Sequence, residues 1–487
     1  MEDMEWLFMG LVCGVFSVCG AAFVLKRIAN NSEGSNTLTA VSSLLKSHFL
    51  PVHTNDITIS ERDFPFRVRA DLQRAIDQLF GDDTRVVHFC GVRREYSHEG
   101  LSISDCVIES EHNQAVSVPP EHEALDIGED EPIRVLKNGL WLLERDEVKF
   151  AVLLSPTGNF QETTGVRFQI GTPNSSEGTR IAKEFFRHLE DSILKAESYR
   201  GKILSLEQPE HSYTGKANGI TVHKLRTVER DQVILSESTL TLLERNVIQF
   251  VKQREQLSHF QQATKKGLLF YGPPGTGKTH TIHYLARALE GHTTLLVSAE
   301  QVGMLSEYMA LARLLQPSIV VMEDVDLIAR DRANMNSPCE EALLNKLLNE
   351  MDGLKEDADI LFILTTNRPE TLEAALASRP GRINQAIEFP FPDEDGRSKL
   401  IHLYSRGISM SDELVTEIVR RTENVSAAFI KELMRRTVQF HIEGGSSGDV
   451  SHDEIDNALD EMLFKGGSLN LKLLGAAERD TASSVQS

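Results

Sequence analysis

The eight residues Gly272, Pro273, Pro274, Gly275, Thr276, Gly277, Lys278 and Thr279 match the pattern G-x-x-x-x-G-K-[ST]. Residues of these types at this spacing hold a chain of phosphates. The glycines let consecutive backbone N–H groups turn inward around phosphate oxygens. Lys278 adds a positive charge at the β- and γ-phosphates, Thr279 offers a hydroxyl to Mg2+, and His280 follows where the loop enters its helix. The apolar run Leu268 to Tyr271 precedes the loop and the helical pattern Ile282 to Leu289 follows it, so strand, loop and helix come in the required order. The chain is expected to bind a nucleoside triphosphate.

A second group of residues fits the same chemistry. The apolar run Ile319-Val320-Val321-Met322 delivers Glu323, Asp324 and Asp326 at its C-terminal end, the end at which ligands bind in open α/β sheets. Carboxylates there hold magnesium and orient an attacking water. Phosphoryl transfer asks little covalent chemistry of a protein, so position and charge supply the catalysis. Downstream, Thr365-Thr366-Asn367-Arg368-Pro369 places an amide where it can hydrogen-bond a γ-phosphate or the water, and Ser378-Arg379-Pro380-Gly381-Arg382 brings two arginines.

The elements that must position these groups are legible as patterns. From about Thr227 to Pro392 five strand-like runs, Gly267 to Tyr271, Thr294 to Ser298, Ile319 to Glu323, Ile360 to Thr365 and Ala386 to Phe391, alternate with helical stretches. Near-continuous apolarity in the middle strands is what a parallel sheet covered on both faces requires. After Asp393 the pattern is helical: Gly396 to Tyr404, Asp412 to Arg421, Ala427 to Ile442 and His452 to Phe464, the last with a capping box of Ser451 and Glu454. This predicts a five-stranded parallel α/β core over 227–392 and a helical lid over 393–466, with a polar tail over 467–487.

Gly272 to Thr279, Asn345 to Leu354, Thr365 to Pro369 and Arg379 to Arg382, in this order and spacing, resemble the AAA family of ring-forming ATPases. The resemblance runs from Thr227 to Gly466. It implies a ring, usually a hexamer, with ATP and Mg2+ between subunits and hydrolysis driving the remodelling or translocation of a protein substrate. Carried over by position, Asn367 resembles sensor 1, Arg379 and Arg382 resemble arginine fingers reaching a neighbour's γ-phosphate, and Asp352-Gly353-Leu354 resembles the intersubunit signalling element. Ser426-Ala427-Ala428 stands at the small-residue sensor 2 region and brings no arginine to the nucleotide.

Three departures qualify the resemblance. The family usually ends its second motif Asp-Glu, whereas this chain has Glu323-Asp324, an order similar, together with an N-terminal anchor, to the mitochondrial AAA translocases of respiratory complex III assembly. The reversal leads to the assignment of Asp324 to the water and Glu323, with Thr279, to magnesium. Next, the central pore loop of the family, with its aromatic, has as best match Gln301-Val302-Gly303; the aromatic is missing, although Tyr308 follows nearby. That speaks against simple threading. Finally, Ser378 adds a residue before Arg379, and Asn384 stands where the family often has Asp.

The 487 residues leave room for further domains, and a formal charge of -21 leaves no broad basic surface for a nucleic-acid backbone, so no nucleic acid is expected as a partner. The five cysteines, with no C-x-x-C spacing, indicate neither a disulfide framework nor a zinc cluster. From Trp6 to Leu25 run twenty residues without a charge, which as a helix span about 30 Å, the bilayer core. Glu2, Asp3 and Glu5 before the run and Lys26 and Arg27 after it predict an uncleaved single-pass anchor (residues 1–30) with the rest of the chain on the cytoplasmic side, or in the matrix of a mitochondrion. Gly10, Gly14, Ser17 and Ala21 share one face of it.

After a tether rich in Asn, Ser and Gly, the segment to Arg226 mixes helical stretches (Val68 to Phe80, Ala182 to Ala196) with strand-like ones (Gly139 to Glu144, Lys149 to Leu154, Thr221 to Leu225), which reads as an α+β domain over 31–226. It carries no visible chemistry, its His98-Glu99 and His122-Glu123 pairs lacking the second His of a zinc-protease helix, and Trp141 is expected in its core. A substrate or adaptor module is the expected role. The whole is expected to be a membrane-anchored ATP hydrolase acting on a protein. A membrane AAA protease would need a metalloprotease domain after the lid, and none is expected. The alternative is a nucleotide-gated oligomeric membrane scaffold with slow or no turnover.

Overall fold

The computed structural model describes residues 39–80, 84–94, 100–109, 114–159, 162–207, 219–330, 349–353, 358–370, 382–445 and 448–462. The expected anchor at Trp6 to Leu25, Arg379, and the tail lie outside them. Among the described residues no helix is long and apolar enough to cross a membrane.

The first half of the chain supplies strands β1 (Ile57–Pro65), β2 (Arg85–Arg93), β3 (Val116–Val118), β4 (His122–Leu125), β5 (Ile133–Leu136), β6 (Gly139–Arg145), β7 (Val148–Asn159) and β8 (Glu162–Pro173). Six form an antiparallel sheet in the order β1-β8-β7-β6-β2-β3, and β4 pairs with β5 apart from it. Alternation along β6 and β7 explains why both faces are covered. Leu140, Leu142, Ala151 and Leu153 pack with Val41 and Leu45 of helix Val41–Phe49. Trp141, Leu143, Phe150 and Val152 pack with the helices Arg69–Leu79 and Ser176–Lys195. Trp141 is buried and stacks on Phe89 at 4.9 Å, a core residue as expected.

The second sheet holds β9 (Ile203–Leu206), β10 (Ile220–Val222), β11 (Lys266–Tyr271), β12 (Thr293–Val297), β13 (Ser318–Met322), β14 (Ile360–Thr366) and β15 (Gln385–Glu388). Its order is β10-β9-β12-β13-β14-β11-β15. The pairs from β9 through β15 are parallel, and β10 is antiparallel to β9. The expectation of five strands is corrected to seven. The two extra strands come from residues ahead of Arg226, so the second sheet begins inside the segment that the sequence pattern places in the preceding domain. Two contacts weld β9 on: the Leu206 N–H donates to the Tyr308 hydroxyl (2.8 Å), and the Gln301 amide donates to the Leu206 carbonyl (2.8 Å).

Every residue of β13 and β14 is buried. Helix Lys278–Ala288 closes one face through Ile282 and Leu285, and helix Leu305–Leu314 closes the other through Leu305, Met309 and Ala312. The lid consists of helices Glu394–Tyr404, Asp412–Arg421, Ala427–Glu443 and His452–Asp460 around Ile401, Ile418, Ile430 and Leu433. Each begins at a residue whose side chain accepts from the first turn: Asp393, Ser411, Ser426 and Ser451, the last in the expected capping box with Glu454.

Candidate functional site: a nucleotide cleft between phosphate loop and lid

At the C-terminal ends of β11, β13 and β14 a cleft of about 370 Å³ is lined by residues 274–281, Asp324, Thr365 and Asn367, by residues 232–235, and by Tyr404, Ala427, Ala428 and Lys431 of the lid. The sheet sends its chain ends to one place: β11 runs into Gly272, β13 into Glu323, and β14 into Asn367.

The loop geometry follows from its glycines. Gly272 has φ +144°, and a Cβ there would lie 2.3 Å from the Phe389 carbonyl oxygen of the neighbouring chain segment. Gly275 has φ +76°, and a Cβ there would meet the Ala428 Cβ at 2.8 Å. The lid thus rests directly on the loop. Ala428 N–H donates to the Gly275 carbonyl (3.1 Å), which gives Ser426, Ala427 and Ala428 a physical reason to be small. Thr276 donates to the Pro273 carbonyl (2.9 Å), while Pro274 and Gly277 line the cleft. The ammonium of Lys278 is held at the centre of the loop by the carbonyls of Gly272 (2.8 Å) and Pro273 (2.9 Å). Its burial lowers its pKa to about 8, against the pull of Asp324 and Asp326. His280 contacts the Gln232 carbonyl through Nε2 (3.1 Å), so it fixes the 232–235 wall of the cleft, and burial lowers its pKa as well.

The two carboxylates separate. Glu323 Oε1 accepts from the Thr279 hydroxyl (2.9 Å). Asp324 Oδ1 accepts from the Asn367 amide (3.0 Å), and Asp324 N–H donates to the Thr365 hydroxyl (3.0 Å). Asp324 adopts φ +48°, a left-handed turn that Asp tolerates better than most residues and that lets adjacent acids serve different partners. Asp326, grouped by sequence with the other two acids, does a different job. It is buried, and its Oδ1 accepts from the Thr366 hydroxyl (2.9 Å) and from Asn367 N–H (3.1 Å), which pins the end of β14 and with it the Asn367 side chain. Its only sequence signal was an acid following the pair at the start of a helix.

The donor set suits a magnesium nucleotide. A hydroxyl and a carboxylate oxygen already within hydrogen-bond distance of each other are hard oxygen ligands of the kind Mg2+ takes alongside phosphate. They stand beside a loop whose backbone curves around a buried ammonium.

The remaining residues sort differently. Arg382 is described, and its guanidinium pairs with Asp352 of its own chain, Nε donating to Oδ1 (3.0 Å), its NH2 group donating to Oδ2. Its segment is held by Asn384, which exchanges hydrogen bonds with the Gly267 backbone, 2.8 Å each way. Arg379 lies outside the described residues. Tyr308, the aromatic nearest the expected pore loop, is wholly buried, with its hydroxyl donating to Gln301 Oε1 (2.9 Å). It is a core residue, and Val302 is buried with it. Lys431 and Tyr404, unnoticed in the sequence, bring a cation and a ring to the lid side of the cleft, 6.0 Å from ammonium to ring centre.

A phosphate loop after β11, an amide after the adjoining β14, two acids after β13 on the far side of β14, and a helical lid together define a nucleotide-binding α/β domain. Residues 268–391 match the family described as "ATPase family associated with various cellular activities (AAA)", and the chain carries an AAA ATPase domain. It is 29% identical over 245 residues to the ATP-dependent zinc metalloprotease FtsH 3 of Synechocystis sp., covering 47% of this chain and 38% of that one. With the proteasome-activating nucleotidase of Methanothermobacter thermautotrophicus it shares 27% over 257 residues, 50% of this chain and 62% of the other. The 26S proteasome regulatory subunit 8 of Caenorhabditis elegans is 30% identical over 239 residues, 46% and 56% of the two chains. The chain spans about two fifths of the metalloprotease and about three fifths of the proteasomal relatives it matches.

Proposed function

We propose that this protein is an ATP hydrolase that works as a ring, a hexamer by family resemblance, and uses turnover to remodel or move a protein substrate. The observation that carries the reading is the division of the two acids: Glu323 on Thr279, Asp324 on Asn367. In this reading Asp324, oriented by Asn367, receives the attacking water and draws its proton as the γ-phosphoryl departs. Lys278 holds the β- and γ-phosphate oxygens against the loop. Magnesium, carried by Thr279 and Glu323, would neutralise phosphate charge. Arg382 and Arg379 would come from the neighbouring subunit, a contribution worth ~10³ to 10⁵ in rate where it is known in GTPases. For Arg382 this requires release from Asp352, which supports a link between its availability and the signalling element.

The burial of Tyr308 and Val302 favours action on a substrate without an aromatic threading grip. The domain ahead of the ATPase is proposed as the module that recognises substrate or adaptor, and the Trp6 to Leu25 run as the anchor that keeps the ring on the cytoplasmic or matrix face of a membrane. The scaffold alternative is separated by a steady-state ATPase assay on the protein beside its Lys278→Ala variant. Hydrolysis well above that control is the expected result; ATP binding and ring assembly without it would instead establish a nucleotide-gated scaffold.

A further inference from the structure

A second cleft, of about 310 Å³, lies farther along the phosphate-loop helix: His280 lines the nucleotide cleft, and His283, three residues on, lines this one. Six basic side chains border it: Lys202, His223, Lys224, Arg226, His283 and Arg287, with no carboxylate among the lining residues. Four of them are Lys or Arg, in a chain where 72 Asp and Glu outnumber 51 Lys and Arg, so the cleft reverses the average charge balance.

Three of the six are already engaged. Lys202 donates to the Ile127 carbonyl (2.6 Å) and pairs with Glu129 (3.3 Å), Arg287 pairs with Glu229 (3.2 Å), and His223 Nε2 lies 2.8 Å from the Ser205 hydroxyl. Lys224, Arg226 and His283 make no hydrogen bond or ion pair with any described residue. Cations gathered in one concavity repel each other and focus a positive potential into it, which a bound anion relieves. A guanidinium beside an ammonium is suited to phosphate oxygens, the first by its planar fork and the second as a point charge. The volume is at the small end of the ~300–1,000 Å³ range of ligand pockets. The lining holds no Phe, Tyr or Trp on which a nucleobase could stack. The fit is to a compact polyanion.

We propose that this cleft is a second anion site, separate from the nucleotide cleft, that takes a small phosphate-class polyanion, either free, as pyrophosphate, or as the headgroup of a phosphorylated lipid. The proposal stands whether or not the protein hydrolyses ATP. Arg226 and His283 are both close enough to His280 to act on its charge, so an anion here would be felt electrostatically at the wall of the nucleotide cleft.

The test uses the full chain carrying Lys278→Ala, which disables the first phosphate site. Pyrophosphate is titrated calorimetrically at about 0.15 M salt, where exposed charges are already screened beyond ~8 Å, and binding to neutral vesicles is compared with binding to vesicles containing phosphatidic acid. Retained binding of pyrophosphate, or binding that depends on phosphatidic acid, is expected, and adding Lys224→Gln with Arg226→Gln should weaken it at least tenfold. Preference for one probe assigns the free or the lipid source. Lys252→Gln with Arg420→Gln removes the same charge from exposed positions elsewhere and should leave binding unchanged. Loss of all binding with Lys278→Ala, equal binding with and without the cleft substitutions, or an equal loss from the control pair would overturn the site.

Discussion

The two sheets of this chain have opposite ways of ending. In the antiparallel sheet β6 turns directly into β7 through Asp146 and Glu147, both at positive φ, so its strand ends are consumed by a hairpin. Its polar residues are taken up by structure, as where Gln169 accepts from Ile103 N–H (2.6 Å) and donates to Glu61 (2.6 Å). In the second sheet the parallel strands leave at the same edge, and the segments after β11, β13 and β14 lie together there, with Lys278, Thr279, Asp324 and Asn367 lining one cleft. The first sheet is built to be stable and the second to present chemistry. Substitutions should therefore separate into those that unfold and those that silence.

The largest effect is expected where the first sheet is densest. Phe168 is fully buried between Phe64 and Phe185, and Phe168→Ala should cost about 3–5 kcal/mol, read as a fall in the denaturant midpoint of the antiparallel domain. A loss of ATPase activity with unchanged stability would break the comparison. In the second sheet Lys278→Ala should reduce ATP turnover by about 10²–10³, the scale of removing one donor aimed at developing charge, with the melting temperature of the ligand-free protein nearly unchanged.

A smaller effect joins the two behaviours. Gly275→Ala puts a Cβ 2.8 Å from that of Ala428 at φ +76°, a backbone strain of about 1–3 kcal/mol, and it should weaken nucleotide binding by loosening the lid. Unchanged ATP affinity would show that the lid does not govern the loop. The smallest effect belongs to His48, whose Nε2 is 3.1 Å from both the Leu143 and Phe150 carbonyls and whose pKa is lowered by burial. The native state disfavours its charged form, so the unfolded chain binds more protons as pH falls through 6.5, and stability should decline there and level off below the native value. His48→Phe should flatten that decline in a melting series from pH 7 to 5.

Much of the site was legible because its signals are local. The phosphate loop, the acids after Met322 and the amide after Thr366 each follow a buried strand within a few residues, and strand plus polar end is a pattern a sequence displays. What was not legible depends on distance. β9 is four residues long, Ile203 to Leu206, and nothing in so short a run says which sheet it joins; Tyr308, 102 residues away along the chain from its partner Leu206, decides that. The same tyrosine stands near the expected pore loop in sequence and is core in the fold. Arg382 pairs with Asp352 across 30 residues, a contact no local periodicity encodes. Asp326 was legible as an acid beside the site but not its role, which is to hold the backbone of Asn367 and the hydroxyl of Thr366 some 40 residues away along the chain. The 232–235 wall meets the phosphate-loop helix through the His280 contact to Gln232, 48 residues apart along the chain.

The division of labour between Glu323 and Asp324 is the central claim, and a magnesium titration of ATPase rate in Glu323→Gln and Asp324→Asn tests it most directly. Asp324→Asn is expected to bind ATP with normal magnesium dependence and to turn over at a small fraction of the parent rate at any magnesium concentration. Glu323→Gln is expected to shift its half-maximal magnesium concentration upward and to recover rate as the ion is raised. Full activity in Asp324→Asn together with a magnesium-independent loss in Glu323→Gln would contradict the assignment and exchange the two roles.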